Sequence, residues 1–158
     1  MAEDTRGLMS AFQKDQLQAH DLLFEIDESL KMVEVAGSMK ELSSAFFNLT
    51  SNALRYTPPG GRIVVNLSGN DQDGVVFSVQ DAGPGISPEH LPRLSERFYR
   101  IDRSRSRDTG GTGLGLAIVK HVIQRHGGKL MIESKLNHGS TFSLTLPIAR
   151  LRTLAQAA

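Results

Sequence analysis

The chain has 158 residues and a formal net charge of +1 at pH 7. That length suits one domain with a respectable core, and so balanced a charge gives no case for nucleic acid or a membrane surface as partner. Cysteine is absent, which excludes disulfide scaffolds, thiolate metal sites and cysteine nucleophiles; with no secretory signal and no bilayer-length apolar run, a soluble cytoplasmic module is expected.

In chain order, Leu8 to Ala19 reads as a helix, followed by strands around Asp21–Asp27 and Lys31–Val35. A longer helix from about Ser38 to Tyr56 closes at Pro58-Pro59-Gly60-Gly61. Leu42, Phe46, Leu49, Ala53 and Tyr56 recur at helical spacing and make one apolar face. Ser44, Asn48, Asn52 and Arg55 form a polar stripe beside it. Two asparagines one turn apart offer amide oxygens to a hard cation that keeps most of its waters, as magnesium does when held through substrate phosphates. Arg55, another turn along, is placed to meet phosphate oxygens. Alone, the stripe would read as a solvated face. Its company is what gives it meaning.

Strands near Arg62–Ser68 and Val75–Gln80 follow, joined by the hairpin loop Asn70-Asp-Gln-Asp-Gly74. Val75, Phe77 and Val79 alternate as in a half-buried strand, and Asp81 ends the run. A carboxylate there, followed by Gly83-Pro84-Gly85, is placed to accept a hydrogen bond from the amine of adenine; guanine or a pyrimidine presents a different edge. The same spacing also occurs in ordinary turns. A short helix near Pro88–Leu94 precedes a polar segment from Arg97 to Thr112. Arg93, Arg97, Arg100, Arg103, Arg105 and Arg107 crowd this region. Most read as a solvated basic loop, and they lack the stacking platform that a nucleic-acid surface needs.

Gly110-Gly-Thr-Gly-Leu-Gly-Leu116 then runs into an amphipathic helix. Leu114, Ile118 and Val122, and likewise Leu116, Val119 and Ile123, recur at helical spacing, with Lys120, His121, Gln124 and Arg125 on the other side. Glycine lets backbone amides approach an anion, and a helix N-terminus adds N–H donors and a partial positive charge. The segment is therefore either a phosphate cradle or a packing hinge. A P-loop is excluded, because Leu116 stands where that loop needs lysine; the dinucleotide fingerprint fails at Leu116 or Ile118. Protein-kinase signatures are missing too. The helix ends at Gly127-Gly128, and strands at Leu130–Ser134 and Ser140–Leu146 finish the sheet, with Ser140, Phe142, Leu144 and Leu146 pointing one way. Ile148 to Ala158 is expected to be a frayed tail or a short helix. The histidines show no metal-ligand spacing, and His20 is expected to enter a strand.

Together these segments resemble the catalytic and ATP-binding domain of two-component sensor histidine kinases, within the gyrase, heat-shock chaperone, histidine kinase and mismatch-repair superfamily. Asn48-Leu-Thr-Ser-Asn52-Ala-Leu-Arg-Tyr-Thr-Pro58 resembles the asparagine box, Asp81-Ala-Gly-Pro-Gly85 the first glycine box, and Glu96-Arg-Phe98-Tyr-Arg100 the phenylalanine box. Gly110 to Leu116 resembles the second glycine box, and all four stand in the family's order. Pro88 to Arg100 is similar to the phosphate-regulon branch. The resemblance implies an α+β fold, a two-layer α/β sandwich of the Bergerat type. Its mixed, mostly antiparallel sheet of about five strands would be covered on one face by about three helices, with ATP between the layers. Residues 1–19 would then be a junction helix from a dimerisation domain elsewhere, 20–147 the ATP-binding domain with a lid at about 97–112, and 148–158 a tail.

By position, the resemblance implies that Asn48 and Asn52 bind magnesium and the phosphates. Arg55 replaces a common lysine as a phosphate contact of different geometry and completes the catalytic set. Tyr56 matches an aromatic that packs by the nucleotide. Asp81 matches the carboxylate that reads the adenine amine, with Gly83, Gly85 and Ile86 in the pocket wall. Gly111, Gly113, Leu114 and Gly115 match backbone donors to the phosphates, and Thr112 and Leu116 belong to the same nucleotide-contacting segment. Ser140 matches a hydroxyl that supports adenine recognition. Of the lid arginines, Arg100 and Arg103 are expected to fold over the phosphates.

The implied function is transfer of the γ-phosphoryl group of Mg-ATP to a histidine on the dimerisation domain of the same kinase, and onward to a response regulator's receiver domain. Asn48 stands where ATP-hydrolysing relatives carry glutamate; an asparagine takes up no proton, so ATP is expected to be kept for transfer. No histidine here sits in a phosphoacceptor setting, so the chain is expected to be the cytoplasmic catalytic piece of a membrane-anchored kinase, with no nucleic-acid or membrane contact of its own. A nucleotide-sensing interaction module without catalysis and an anti-sigma-factor serine kinase are the alternatives. Glu96-Arg-Phe-Tyr-Arg100 favours the sensor-kinase branch.

Overall fold

A computed structural model describes residues 19–70, 72, 74–101 and 114–153. Strands β1 (Asp21–Ile26), β3 (Arg62–Asn70), β4 (Gly74–Asp81), β6 (Gly139–Leu146) and β5 (Lys129–Lys135) form one sheet in the spatial order β1-β3-β4-β6-β5. The β1–β3 pair is parallel and the other three pairs are antiparallel, as expected of a mixed, mostly antiparallel sheet. Alternate residues face inward: Ile63, Val65 and Leu67 of β3 lie beside Val75, Phe77 and Val79 of β4 and Leu144 and Leu146 of β6, all buried.

Helices α1 (Met39–Tyr56) and α2 (Gly115–Arg125) pack against that inner face. The Ser38 hydroxyl caps α1 by accepting from the Glu41 amide at 3.3 Å, and Glu41 places a carboxylate at the positive end of the helix. Leu42, Leu49 and Ala53 of the expected apolar stripe are buried, joined by Ala45 and Leu54. The Phe46 ring stacks on Phe77 at 4.3 Å, which ties α1 to the middle of β4. From α2, Val119, Val122 and Ile123 are buried, whereas Ile118 is exposed. Side chains as fully buried as Leu49, Ile63, Ile123 and Leu144 each contribute about 1.5–3 kcal/mol.

Several expectations are corrected. Only two α-helices occur among the described residues; Leu8 to Gln18 lies outside them. Pro88–Leu94 holds a single 3-10 turn, Leu91–Arg93, because Pro92 and the lack of an apolar stripe leave nothing to propagate a helix. Lys31–Val35 is divided between a 3-10 turn, Glu28–Met32, and the short strand β2 (Val33–Val35). That strand does not join the main sheet. It pairs antiparallel with β7 (Leu151–Thr153), so the segment from Ile148 to Thr153 is a 3-10 turn and a strand instead of a frayed tail or helix. His20 precedes β1 and hydrogen-bonds the Thr57 carbonyl at 2.8 Å.

His126 is buried where α2 ends, and both ring nitrogens are engaged. Nδ1 donates to the Val122 carbonyl at 2.7 Å, and Nε2 accepts from the Ser38 amide at 3.1 Å. One imidazole thus joins the end of α2 to the start of α1. The ring sits so close to Gly37 that a side chain there would displace it. Replacing His126 with alanine should cost about 1–3 kcal/mol in urea unfolding; an unchanged midpoint would show that the ring adds nothing to the helix junction.

Candidate nucleotide site

Asp81 ends β4 between two in-register neighbours, Ile63 of β3 and Ser140 of β6. Its side chain is only 7% exposed. Burial pushes the Asp81 carboxyl above the usual carboxylate range, while backbone N–H groups of Gly83 and Ser140 pull the other way. The Gly83 amide donates to Oδ1 at 2.9 Å. Two glycines make this geometry possible. Gly139 has φ +107° and Gly85 φ +72°, and any side chain on them would strike the carbonyls of Asp81 and Lys135 respectively. The 82–86 turn is fastened to the β5–β6 hairpin: the Asn137 amide donates to the Pro84 carbonyl at 2.8 Å, and the Ile86 amide to Ser134 Oγ at 2.7 Å.

Ser134 was not among the residues expected from the sequence. It faces Ser140 across the β5–β6 pair, with the two hydroxyl oxygens 2.8 Å apart. Counting back across the three-residue turn Leu136-Asn137-His138 puts Ser134 in register with Ser140, and that was the available signal. Asp81, Ser140 and Ser134 therefore form a polar row at one end of an otherwise apolar inner face.

The other end of the site lies where α1 meets α2. The helices run antiparallel, with Arg125 at the end of α2 paired to Glu41 at the start of α1 at 3.0 Å. Asn48 Nδ2 donates to the Ser44 carbonyl at 2.8 Å, which leaves Oδ1 as an acceptor. That oxygen lies beside the first residue of α2; a Cβ on Gly115 would come within 3.1 Å of it. Leu114 is the N-cap of α2 and makes no side-chain cap hydrogen bond. Asn52 is half-buried one turn along, and Arg55 is exposed. Tyr56 is 55% exposed, but its carbonyl faces Gly83 in the glycine turn. The eight steps from Asn48 to Tyr56 span about 12 Å of helix. Helix α1 thus bridges from the α2 start to the carboxylate end.

Leu116 is half-buried in the first turn of α2, and Ile86 is half-buried beside Ser134. Arg100 is half-buried as well. Arg103, Gly111, Thr112 and Gly113 lie outside the described residues. Nearby, Phe98 stands 70% exposed at φ +63°. Its neighbour Tyr99 is clamped between a hydrogen bond to His90 Nδ1 and the Arg93 guanidinium, 4.4 Å from the ring centroid.

The Asp81 shift has a sign that can be tested. A carboxyl whose folded value is raised favours the native state when protonated, and that contribution is lost as the pH rises through the folded value. At pH 7 the ionised group is therefore a liability to the ligand-free protein. Asp81→Asn keeps an acceptor for the Gly83 amide, and should raise the thermal midpoint at pH 7 by a few degrees. The gain should disappear in acid. The same variant should weaken adenine nucleotides by about tenfold or more, since a charged acceptor is lost. A lower midpoint with undiminished nucleotide affinity would contradict both roles.

Residues 37–150, which include both helices and all the strands of the site except β1, match the family model described as histidine kinase-, DNA gyrase B-, and HSP90-like ATPase. The chain is 56% identical over 111 residues to the phosphate regulon sensor protein PhoR of Pseudomonas aeruginosa, covering 70% of this chain and 25% of that protein. It is 46% identical over 112 residues to the sensor histidine kinase RppB of Synechocystis sp., covering 71% and 24%. The chain therefore spans about a quarter of the length of these relatives. Among solved structures, the mycobacterial sensor histidine kinase MprB aligns with a TM-score of 0.78 at 29% identity over 93% of each chain. Full-length ShkA in complex with AMPPNP aligns with a TM-score of 0.77 at 25% identity, covering 97% of this chain and 30% of that one. An asparagine-striped helix, a carboxylate-ended strand and a glycine-led helix, in this order and on this sheet, belong to the histidine kinase-, DNA gyrase B- and HSP90-like ATPase family, and the chain is a member of it as the ATPase domain of a sensor histidine kinase.

Proposed function

We propose that this domain binds Mg-ATP along α1 and presents the γ-phosphoryl group to a histidine on the dimerisation domain of the same kinase. The observation that carries the reading is the paired placement at the middle and the C-terminal end of α1. Asn48 Oδ1 lies at the start of α2, and the Tyr56 carbonyl lies at the glycine turn that holds Asp81. The stretch between them, about 12 Å, suits an extended nucleoside triphosphate with its base at Asp81 and its phosphates at the α2 start. ShkA, of the same fold, was solved with AMPPNP, which supports a nucleotide as the ligand.

In this reading the Asp81 carboxylate accepts from the 6-amino group, and Gly83, Gly85, Ile86 and Ser140 wall the base. Phosphate oxygens meet the amides of the segment from Gly111 to Leu116, where helix start and glycine favour an anion. Asn48 and Asn52 would hold magnesium, and their amide oxygens fit a hard cation that shares its shell with phosphate and water. The metal supplies neutralisation of phosphate charge. Arg55 and the lid arginines Arg100 and Arg103 add positive charge around the same oxygens, and Tyr56 flanks the nucleotide. An imidazole nitrogen attacks the γ-phosphorus, the bond to the β–γ bridging oxygen breaks, and ADP leaves. Asn48 takes up no proton, so water gains no general base from that position and the phosphoryl group is kept for transfer.

The phosphorylated histidine would then pass its group to a response regulator. Likeness to the Pseudomonas aeruginosa protein supports a phosphate-regulon sensor kinase as the parent. Residues 1–19 would form the junction with the dimerisation domain, and 20–147 the ATP-binding unit. Among the described residues no helix is long and apolar enough to cross a membrane, in keeping with a cytoplasmic portion of an anchored kinase. Mixing the domain with a separately produced dimerisation domain and γ-labelled ATP should place acid-labile, base-stable label on that domain's histidine. Nucleotide binding without label on the partner would overturn transfer and favour a sensing module.

A further inference from the structure

We propose that Ser134 is a specificity-determining residue of the base pocket, which fixes the direction of the Ser140 hydroxyl proton and so selects a 6-amino purine over a 6-oxo purine. The inference rests on the ATP reading above. Ser134 Oγ meets three polar groups. The Ile86 amide donates to it at 2.7 Å, the Gly139 carbonyl accepts from it at 3.1 Å, and Ser140 Oγ lies 2.8 Å away. A serine hydroxyl carries one proton and two lone pairs. With the proton committed to Gly139 and one lone pair to Ile86, only the second lone pair remains for Ser140. That arrangement keeps the Ser134 bond to the Gly139 carbonyl and makes Ser140 the donor of the pair.

The consequence reaches the pocket. Ser140 is 6% exposed and stands in register with Asp81 on the neighbouring strand. Once its proton is spent on Ser134, Ser140 offers only lone pairs toward a ligand. The wall formed by Ser140 and the Asp81 carboxylate can accept hydrogen bonds but cannot supply them. An exocyclic amine, directly or through a water, satisfies such a wall. A 6-oxo group meets acceptor with acceptor, and a site built for one pattern rejects the other because buried groups are left unpaired. Removing the Ser134 oxygen frees the Ser140 proton to turn toward the base, where it can donate to a 6-oxo group.

The test is the ratio of ATP to ITP affinity, measured by calorimetry, since ITP carries a 6-oxo group, with a proton on N1, in place of the 6-amino group. The unaltered domain should prefer ATP. Ser134→Ala should narrow the preference by roughly fivefold or more, with ITP losing less affinity than ATP, and Ser134→Thr, which retains the hydroxyl, should restore it. Ser140→Ala should narrow the ratio likewise while leaving Ser134 in place. A purely structural role would weaken both nucleotides equally. An unchanged ratio in Ser134→Ala, with ATP still bound by the unaltered domain, would overturn the proposal alone. Failure of the unaltered domain to bind ATP would overturn the ATP reading as well.

Discussion

A carboxylate held out of water at the end of an apolar strand is the constraint that organises this domain. Burial disfavours the charged form of Asp81, and the protein offsets that with backbone N–H groups instead of a cationic partner; among the described residues no ion pair involves Asp81. A lysine or arginine there would have stabilised the fold and filled the acceptor. Leaving it without one keeps a charged acceptor at the head of the pocket. The surrounding irregularities serve the same end: Gly139 lets the β5–β6 hairpin close over the Asp81 carbonyl, Gly85 lets the glycine turn pack on the Lys135 carbonyl, and Ser134 fastens that turn to the hairpin.

Helix α1 converts that local chemistry into a site of defined length. Its buried face docks on β4 through Phe46 and Phe77, which fixes how far along the sheet the asparagines stand from Asp81. At its start, Ser38 and His126 join it to the end of α2, and the Glu41–Arg125 pair secures the same junction. Because the helices are antiparallel, securing that junction sets Gly115 opposite Asn48. In the proposed reading, base end and phosphate end are thus positioned by one packed unit, with contacts remote from the ligand setting the distance between them.

Much of this was legible in the sequence, for identifiable reasons. Alternation in Val75–Val79 and in Ser140–Leu146 is strong because one sheet face is apolar, so strand identity and facing follow directly. The α1 stripe was found by its period, but the period carried it one step too far: Tyr56 keeps the spacing yet is the last residue of the helix and is exposed. The β2–β7 pair was not legible. Three-residue strands leave no alternation to detect, and their pairing joins segments more than a hundred residues apart. Ser134 was missed for a different reason. Nothing in its local sequence marks it, and its importance comes from the hairpin register that sets it opposite Ser140.

The most direct test of the central claim is a crystal structure of the domain with magnesium and a non-hydrolysable ATP analogue. The account predicts the 6-amino group within hydrogen-bond distance of the Asp81 carboxylate and the triphosphate at the start of α2, with the metal beside Asn48 and Asn52. A ligand bound away from α1, or one whose base lies at Gly115 and whose phosphates lie at Asp81, would contradict it.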